Sequence, residues 1–122
     1  MNSRIRVLVI EPGTRKAFVR EVDAELETFQ SLVGGSIEGL TLSPEFSVYI
    51  NEDGKYLRLD RNVWGEAFIL NALKASGQTL LRGDFIVGPV VVVGAPDHGG
   101  WDRSVPESAI ELAREVGVEV VE

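Results

Sequence analysis

The longest apolar run in this chain, residues 85–95, reads Phe-Ile-Val-Gly-Pro-Val-Val-Val-Val-Gly-Ala and is interrupted in its middle by Gly88-Pro89. It reaches about half the length that a membrane span requires, and β-branched residues of this kind favour a pleated strand. It therefore reads as a strand inside a packed domain. Proline cannot donate a ladder hydrogen bond, so residues 85–93 are expected to form a strand that is bulged or lies at a sheet edge, and the edge is the preferred reading. A second run, residues 5–10, is apolar except for Arg6 and ends at Glu11-Pro12-Gly13. That pattern predicts a largely buried first strand, with residues 16–22 returning beside it as a hairpin.

The remaining elements follow from periodicity. Asp23 is placed to cap a helix carrying Glu25 and Glu27 in its first turn, with Leu26, Phe29, Leu32 and Val33 at helical spacing and Gly34 as its stop. Residues 36–42 are expected to form a third strand. In residues 46–51, Phe46, Val48 and Ile50 alternate with Ser47, Tyr49 and Asn51, which predicts a fourth. Asn51-Glu52-Asp53-Gly54 supplies a turn, so residues 55–59 are expected to return as its hairpin partner. Residues 62–75 predict a helix with Val63, Ala67, Leu70 and Leu73 on its apolar side, although Gly65 weakens helix propensity there. Ser104-Val105-Pro106-Glu107 has capping-box spacing, and Ala109, Leu112, Ala113 and Val116 form a stripe, so residues 105–116 predict a C-terminal helix. Residues 118–121 can add a short final strand. This order predicts an α+β fold: a mostly antiparallel sheet with about three helices packed against it, on one side.

At 122 residues with 44% hydrophobic composition, the chain is sized for one packed core, and residues 1–122 read as a single domain. A formal charge of −7 sets the overall field against phosphate backbones, so direct nucleic-acid binding is not expected. The acids are scattered and lack the dense blocks of an acidic tail or an obvious DNA mimic. No cysteine is present, which excludes disulfides, thiolate metal sites and cysteine nucleophiles and suits a reducing compartment such as the cytoplasm. The N-terminus has no signal-peptide pattern, and no membrane association is expected.

Motifs that carry chemistry are sparse. The chain has no G-x-G-x-x-G or Walker spacing, and Gly34-Gly35 follows a helix where a phosphate loop would open one. The most unusual stretch is Gly94-Ala95-Pro96-Asp97-His98-Gly99-Gly100-Trp101-Asp102-Arg103, a polar glycine-rich loop holding the chain's one histidine. Asp97, His98 and Asp102 have the donor chemistry for a divalent metal, or His98 for a general base oriented by a carboxylate. The plainer reading is a connector whose Trp101 packs against the body. Trp64 and Trp101 are the two tryptophans, a residue type that anchors interfaces or stacks on planar ligands, with core burial favoured for Trp64. Ser104 fits a helix cap better than a nucleophile. Trp64, Asp97, His98, Trp101 and Asp102 are thus the candidate ligand-binding residues, with no catalytic set, bound cofactor or metal expected.

Several segments in order carry a resemblance: Val7-Leu8-Val9 with Glu11-Pro12-Gly13, Leu32-Val33-Gly34-Gly35 with Ile37-Glu38, Asn51-Glu52-Asp53-Gly54-Lys55, and Gly83-Asp84 with Ile86-Val87-Gly88. Over residues 5–95 the chain resembles an uncharacterised domain family carried by bacteriophages and mobile elements of bacteria. The resemblance implies a setting, the cytoplasm of a bacterial host, and no mechanism, because that family has no assigned activity or catalytic residues. The chain departs from its pattern at residues 61–81 and 96–122. The leading expectation is a non-catalytic accessory protein that binds a host protein. Alternatives are a small-ligand binder that sequesters a nucleotide-derived signal and, less favoured, a metal-assisted hydrolase built on Asp97, His98 and Asp102. A homodimer through a free sheet edge is compatible with all three.

Overall fold

In a computed structural model, which describes residues 4–80, 84–96, 100 and 102–122, the chain forms a six-stranded sheet with helices on both of its faces. The elements are β1 (Arg4–Ile10), β2 (Lys16–Asp23), α1 (Leu26–Val33), β3 (Ile37–Thr41), β4 (Phe46–Asn51), α2 (Val63–Ala75), β5 (Val90–Gly94), α3 (Glu107–Glu115) and β6 (Glu119–Val121). The strand order is β3-β4-β5-β1-β2-β6, antiparallel throughout except for the parallel β2–β6 pair.

The apolar runs become the two central strands. Val90 to Val93 and Val7 to Ile10 have no exposed surface, because alternate side chains enter two different cores. Leu8, Ile10, Val90 and Val92 join Val48 beneath α2 and α3, while Val7, Val9, Val91 and Val93 pack with Phe29 and Val33 of α1. Helices therefore cover both faces, where the sequence suggested one. β5 likewise lies in the middle of the sheet and not at its edge. Pro89 stands immediately before the strand, on a turn in which Gly88 adopts a φ of 75°, so it removes no donor from the ladder between β4 and β1.

Three local expectations change. Residues 55–59 wind through successive turns, with Leu57 N–H donating to Asp53 O and Leu59 N–H to Gly54 O, instead of pairing with β4. The side chain of Leu59 packs beside Gly54 and Gly88, which draws the segment inward. At α3 the N-cap is Pro106 without a side-chain bond, and the Ser104 hydroxyl accepts from Arg6 N–H at 3.0 Å. Ser104 therefore ties the approach to α3 onto β1. At α1 the N-cap is Glu25 and not Asp23, again with no side-chain bond.

The buried face of α2 is Gly65, Phe68, Ile69, Ala72 and Leu73, which leaves Val63 and Leu70 exposed. Gly65 sets that face. A Cβ there would lie 2.7 Å from Val90 Cγ2 and 2.8 Å from Asn62 Cγ, so the helix can approach β5 this closely only through glycine. Asn62, fully buried, closes the same corner: Nδ2 donates to Ile10 O at 2.8 Å and to Gly88 O at 2.9 Å, and Oδ1 accepts from Gly65 N–H at 2.8 Å. One amide thus caps α2 and joins it to β1 and to the turn before β5.

Replacing Asn62 by Ala should lower unfolding free energy in urea titration by about 3 kcal/mol, from the lost cap and two stranded carbonyls. Asn62→Asp keeps the capping oxygen but sets a carboxylate against two carbonyl oxygens. It should cost at least as much at neutral pH, and near-native stability of that variant would refute the donor role.

Candidate functional site

Two concavities flank β3, one on each face of the sheet. The larger, of about 290 Å³, opens between the turns after β4 and the segment leading to β5. Its floor is apolar, with Leu40, Ile50, Leu80, Ile86 and Val87, and its rim carries Glu38, Glu52, Asp53, Lys55, Tyr56 and Asp84. Tyr56 is 87% exposed and Phe85 37% exposed.

The pocket walls are fixed from below. Ile86 N–H donates to the Glu66 carboxylate at 2.9 Å, Asn62 N–H donates to Ile86 O at 2.9 Å, and Gly88 N–H donates to Asp60 O at 2.8 Å. Asp84 pairs with Lys55, whose ammonium holds that carboxyl below its ordinary value. Lys55 Nζ lies 4.6 Å from the Phe85 ring centroid and Arg61 Cζ 5.3 Å from it, so the ring is backed by two cations. On the opposite wall Asn51 is buried, donating to Val33 O and accepting from Asp53 N–H, which shapes the turn after β4.

The second concavity, about 230 Å³, is lined by Gly39, Leu40, Thr41, Ser47, Tyr49, Pro96, Gly100 and Asp102. The Tyr49 hydroxyl donates to the Asp102 carboxylate, 3.0 Å from each oxygen, and the Tyr49 ring packs against Phe29 in a tilted pair with centroids 4.8 Å apart. Burial, followed by the negative charge of Asp102 and the hydrogen bond to it, pushes the Tyr49 phenol up to about 12. Burial raises Asp102 above its ordinary value, and the bond from Tyr49 acts in the opposite direction.

Of the residues singled out by sequence, Asp102 thus lines a pocket, while Asp97, His98 and Trp101 lie outside the described residues. Trp64 is on the other face of the sheet, partly buried, with its ring against Gly117 at the end of α3, a position where a Cβ would come within 2.9 Å of the indole. The structure does not bring Trp64 and Asp102 together. Among the described residues no three His, Asp or Glu side chains are grouped to hold a metal ion, and no helix is long and apolar enough to cross a membrane. Sequence reasoning missed Tyr49 as the partner of Asp102, and it missed Tyr56 and Phe85. The available signals were the aromatic residue beside the Asn-Glu-Asp-Gly turn and the one beside Asp84.

The Tyr49–Asp102 pair has a measurable signature. A carboxyl with a raised folded value holds a proton that the unfolded chain releases, so its contribution to stability grows as pH falls through the interval between the folded value and the ordinary 3.8. Asp102→Asn abolishes that titration. The wild type should therefore gain stability relative to the Asn variant as pH is lowered from about 7 toward about 4 in parallel denaturant titrations. Tyr49→Phe removes the bond that favours the carboxylate and should enlarge the gain. A difference that is flat with pH would contradict this account.

Comparison with curated proteins and with solved structures finds no match. A family model does match, from the first residues of the buried strand β1 to the C-cap of α3, and so takes in α2 and α3, which the sequence resemblance had set apart as departures. Both concavities fall within that span, and on a match over residues 5–116 the chain belongs to the family described as a domain of unknown function, DUF3846.

Proposed function

We propose that this chain is a non-catalytic accessory protein of a phage or mobile element that docks a host protein, and that the docking site is the 290 Å³ pocket between the turns after β4 and the segment before β5. The phage setting rests on the sequence resemblance alone. The observation that carries the docking reading is the rim: Tyr56 and Phe85 present aromatic surface to solvent above an apolar floor, an arrangement typical of interface anchors. Its walls are held by main-chain and carboxylate hydrogen bonds, which lowers the ordering cost of association.

Charge gives the partner a chemistry. Glu38, Glu52, Asp53 and Asp84 surround the opening, and the one lysine among them is already paired with Asp84. With a net charge of −7, this favours an apolar anchor flanked by lysine or arginine. The same carboxylates weigh against a nucleotide-derived signal in this pocket, since phosphate would meet like charge.

Tagged wild-type protein incubated with host lysate should recover a reproducible partner, identified by mass spectrometry. Tyr56→Ala combined with Phe85→Ala should weaken capture by about tenfold or more, the scale of two interface anchors, with a thermal midpoint close to that of the wild type. Raised salt should slow association. Absence of any reproducible partner, or capture indifferent to both aromatic residues, would overturn the assignment.

A further inference from the structure

The edge strand β3 lies between the two concavities, and among the described residues one side of its ladder is open. Glu52 N–H donates to Ser36 O at 2.8 Å, and Leu42 N–H donates to Phe46 O at 3.3 Å, so bonded pairs bracket the β3–β4 register at both ends. Alternation along an antiparallel ladder then makes Glu38↔Ile50 and Leu40↔Val48 the bonded pairs between them. Ile37, Gly39 and Thr41 therefore turn their N–H and C=O groups away from the sheet. Among the described residues no side chain hydrogen-bonds to these groups, and no strand covers them.

The other edge is protected. β6 is three residues long, and beyond it Glu122 is clamped by Arg6 at 2.8 Å and Arg114 at 3.1 Å. β3 has only the exposed carboxylate of Glu38. Along β3 the side chains alternate between faces, with Glu38 lining the larger pocket, Gly39 and Thr41 the smaller, and Leu40 bordering both. A strand laid along this edge would direct its successive side chains to the same two faces, one beside each pocket.

We infer that the partner is held as an extended segment added antiparallel or parallel to β3, with apolar side chains beside the 290 Å³ pocket and basic side chains against Glu38, Glu52 and Asp53. The inference rests on the docking reading above and adds to it the main-chain bonds of Ile37, Gly39 and Thr41. Charge selects the occupant. A second copy of this chain pairing through β3 would bring Glu38, Glu52 and Asp53 of both copies to one seam, a like-charge arrangement that opposes self-association. A basic segment is attracted by the same three groups.

The probe is a displayed library of random linear peptides selected on the intact protein, followed by synthesis of the enriched sequence. Bound peptide should slow amide hydrogen exchange at Ile37, Gly39 and Thr41. Methylating the peptide's backbone nitrogens one at a time should abolish binding at alternate positions only, because only every second amide faces β3. Thr41→Pro removes an outward donor without touching a β4 bond and should weaken binding roughly tenfold, whereas Thr41→Val should leave it within about twofold. The methylation pattern decides the matter even if the proline variant folds poorly. Enriched peptides that require Tyr56 and Phe85 but show no alternation and no protection at the three amides would overturn strand addition and leave the docking reading intact. Failure to enrich any binding peptide would overturn strand addition, while the docking reading stands or falls on capture from host lysate. Protection of those amides in the free protein, accompanied by dimerisation, would assign the edge to a second copy and overturn the inference.

Discussion

Two adjacent antiparallel strands with no polar face impose the architecture. Val7 to Ile10 and Val90 to Val93 carry apolar side chains to both sides of the sheet, so leaving either face wet would expose half of each strand. At roughly 1.5–3 kcal/mol per large aliphatic side chain, neither half can be given up. The chain resolves this with α1 over one face and α2 and α3 over the other. Asn62 and Gly65 then fix the distance and angle of α2, because the amide bonds to β1 and to the turn before β5, and the missing Cβ admits Val90.

The concavities are a geometric consequence of that covering. Six strands at about 4.8 Å spacing span some 24 Å, whereas two helices packed about 10 Å apart cover roughly 20 Å, so a margin of the sheet is left for other segments to cover. That margin falls at β3 and the outer part of β4. On the α2–α3 face it is roofed by the turns of residues 51–59 and the segment at 84–87; on the other face α1 itself packs against β3, β4 and β5, and the smaller pocket lies at the opposite end of the β3–β4 pair, beside Pro96, Gly100 and Asp102. Turns do not fill space as a helix does, and a pocket remains on each side.

Much of this was readable from residue order. The hairpin of β1 and β2, the alternation in β4, the three helices and the short last strand all follow from periodicity and turn chemistry, because each is set by neighbours close in sequence. The misreadings concern long-range partners. Gly88-Pro89 looks like an interruption within a strand, and only the bond from Gly88 N–H to Asp60 O shows it to be a turn that precedes one. Ser104 has capping spacing, yet Arg6 N–H, 98 residues away, claims its hydroxyl. The apolar side of α2 was ambiguous because Val63, Leu70 and Ile69 point in different directions, and the docking of Gly65 decides among them. At the sites, Asp102 stood out by composition, but Tyr49 is 53 residues away, and a hairpin reading of residues 55–59 hid the exposure of Tyr56.

The two pockets differ in how they are attached to the core, and that difference bears on what each can do. The wall containing Ile86 and Val87 is bonded to the start of α2 through Glu66 and Asn62, the same corner that secures the central strands. It cannot move without disturbing the fold, so a ligand meets a preformed surface and little binding energy goes into ordering it. On the other face, Asp102 is held chiefly by a phenol whose ring is braced on Phe29, and Gly94 N–H bonds to Arg103 O close by. A half-buried carboxylate with one hydroxyl donor is a weaker anchor than a buried amide with three partners, because its charge opposes the burial that holds it. Recognition that depends on rigidity therefore belongs to the Tyr56–Phe85 side, where the lowered Asp84 carboxyl loses its contribution as pH falls, whereas the raised Asp102 carboxyl on the Tyr49 side gains one.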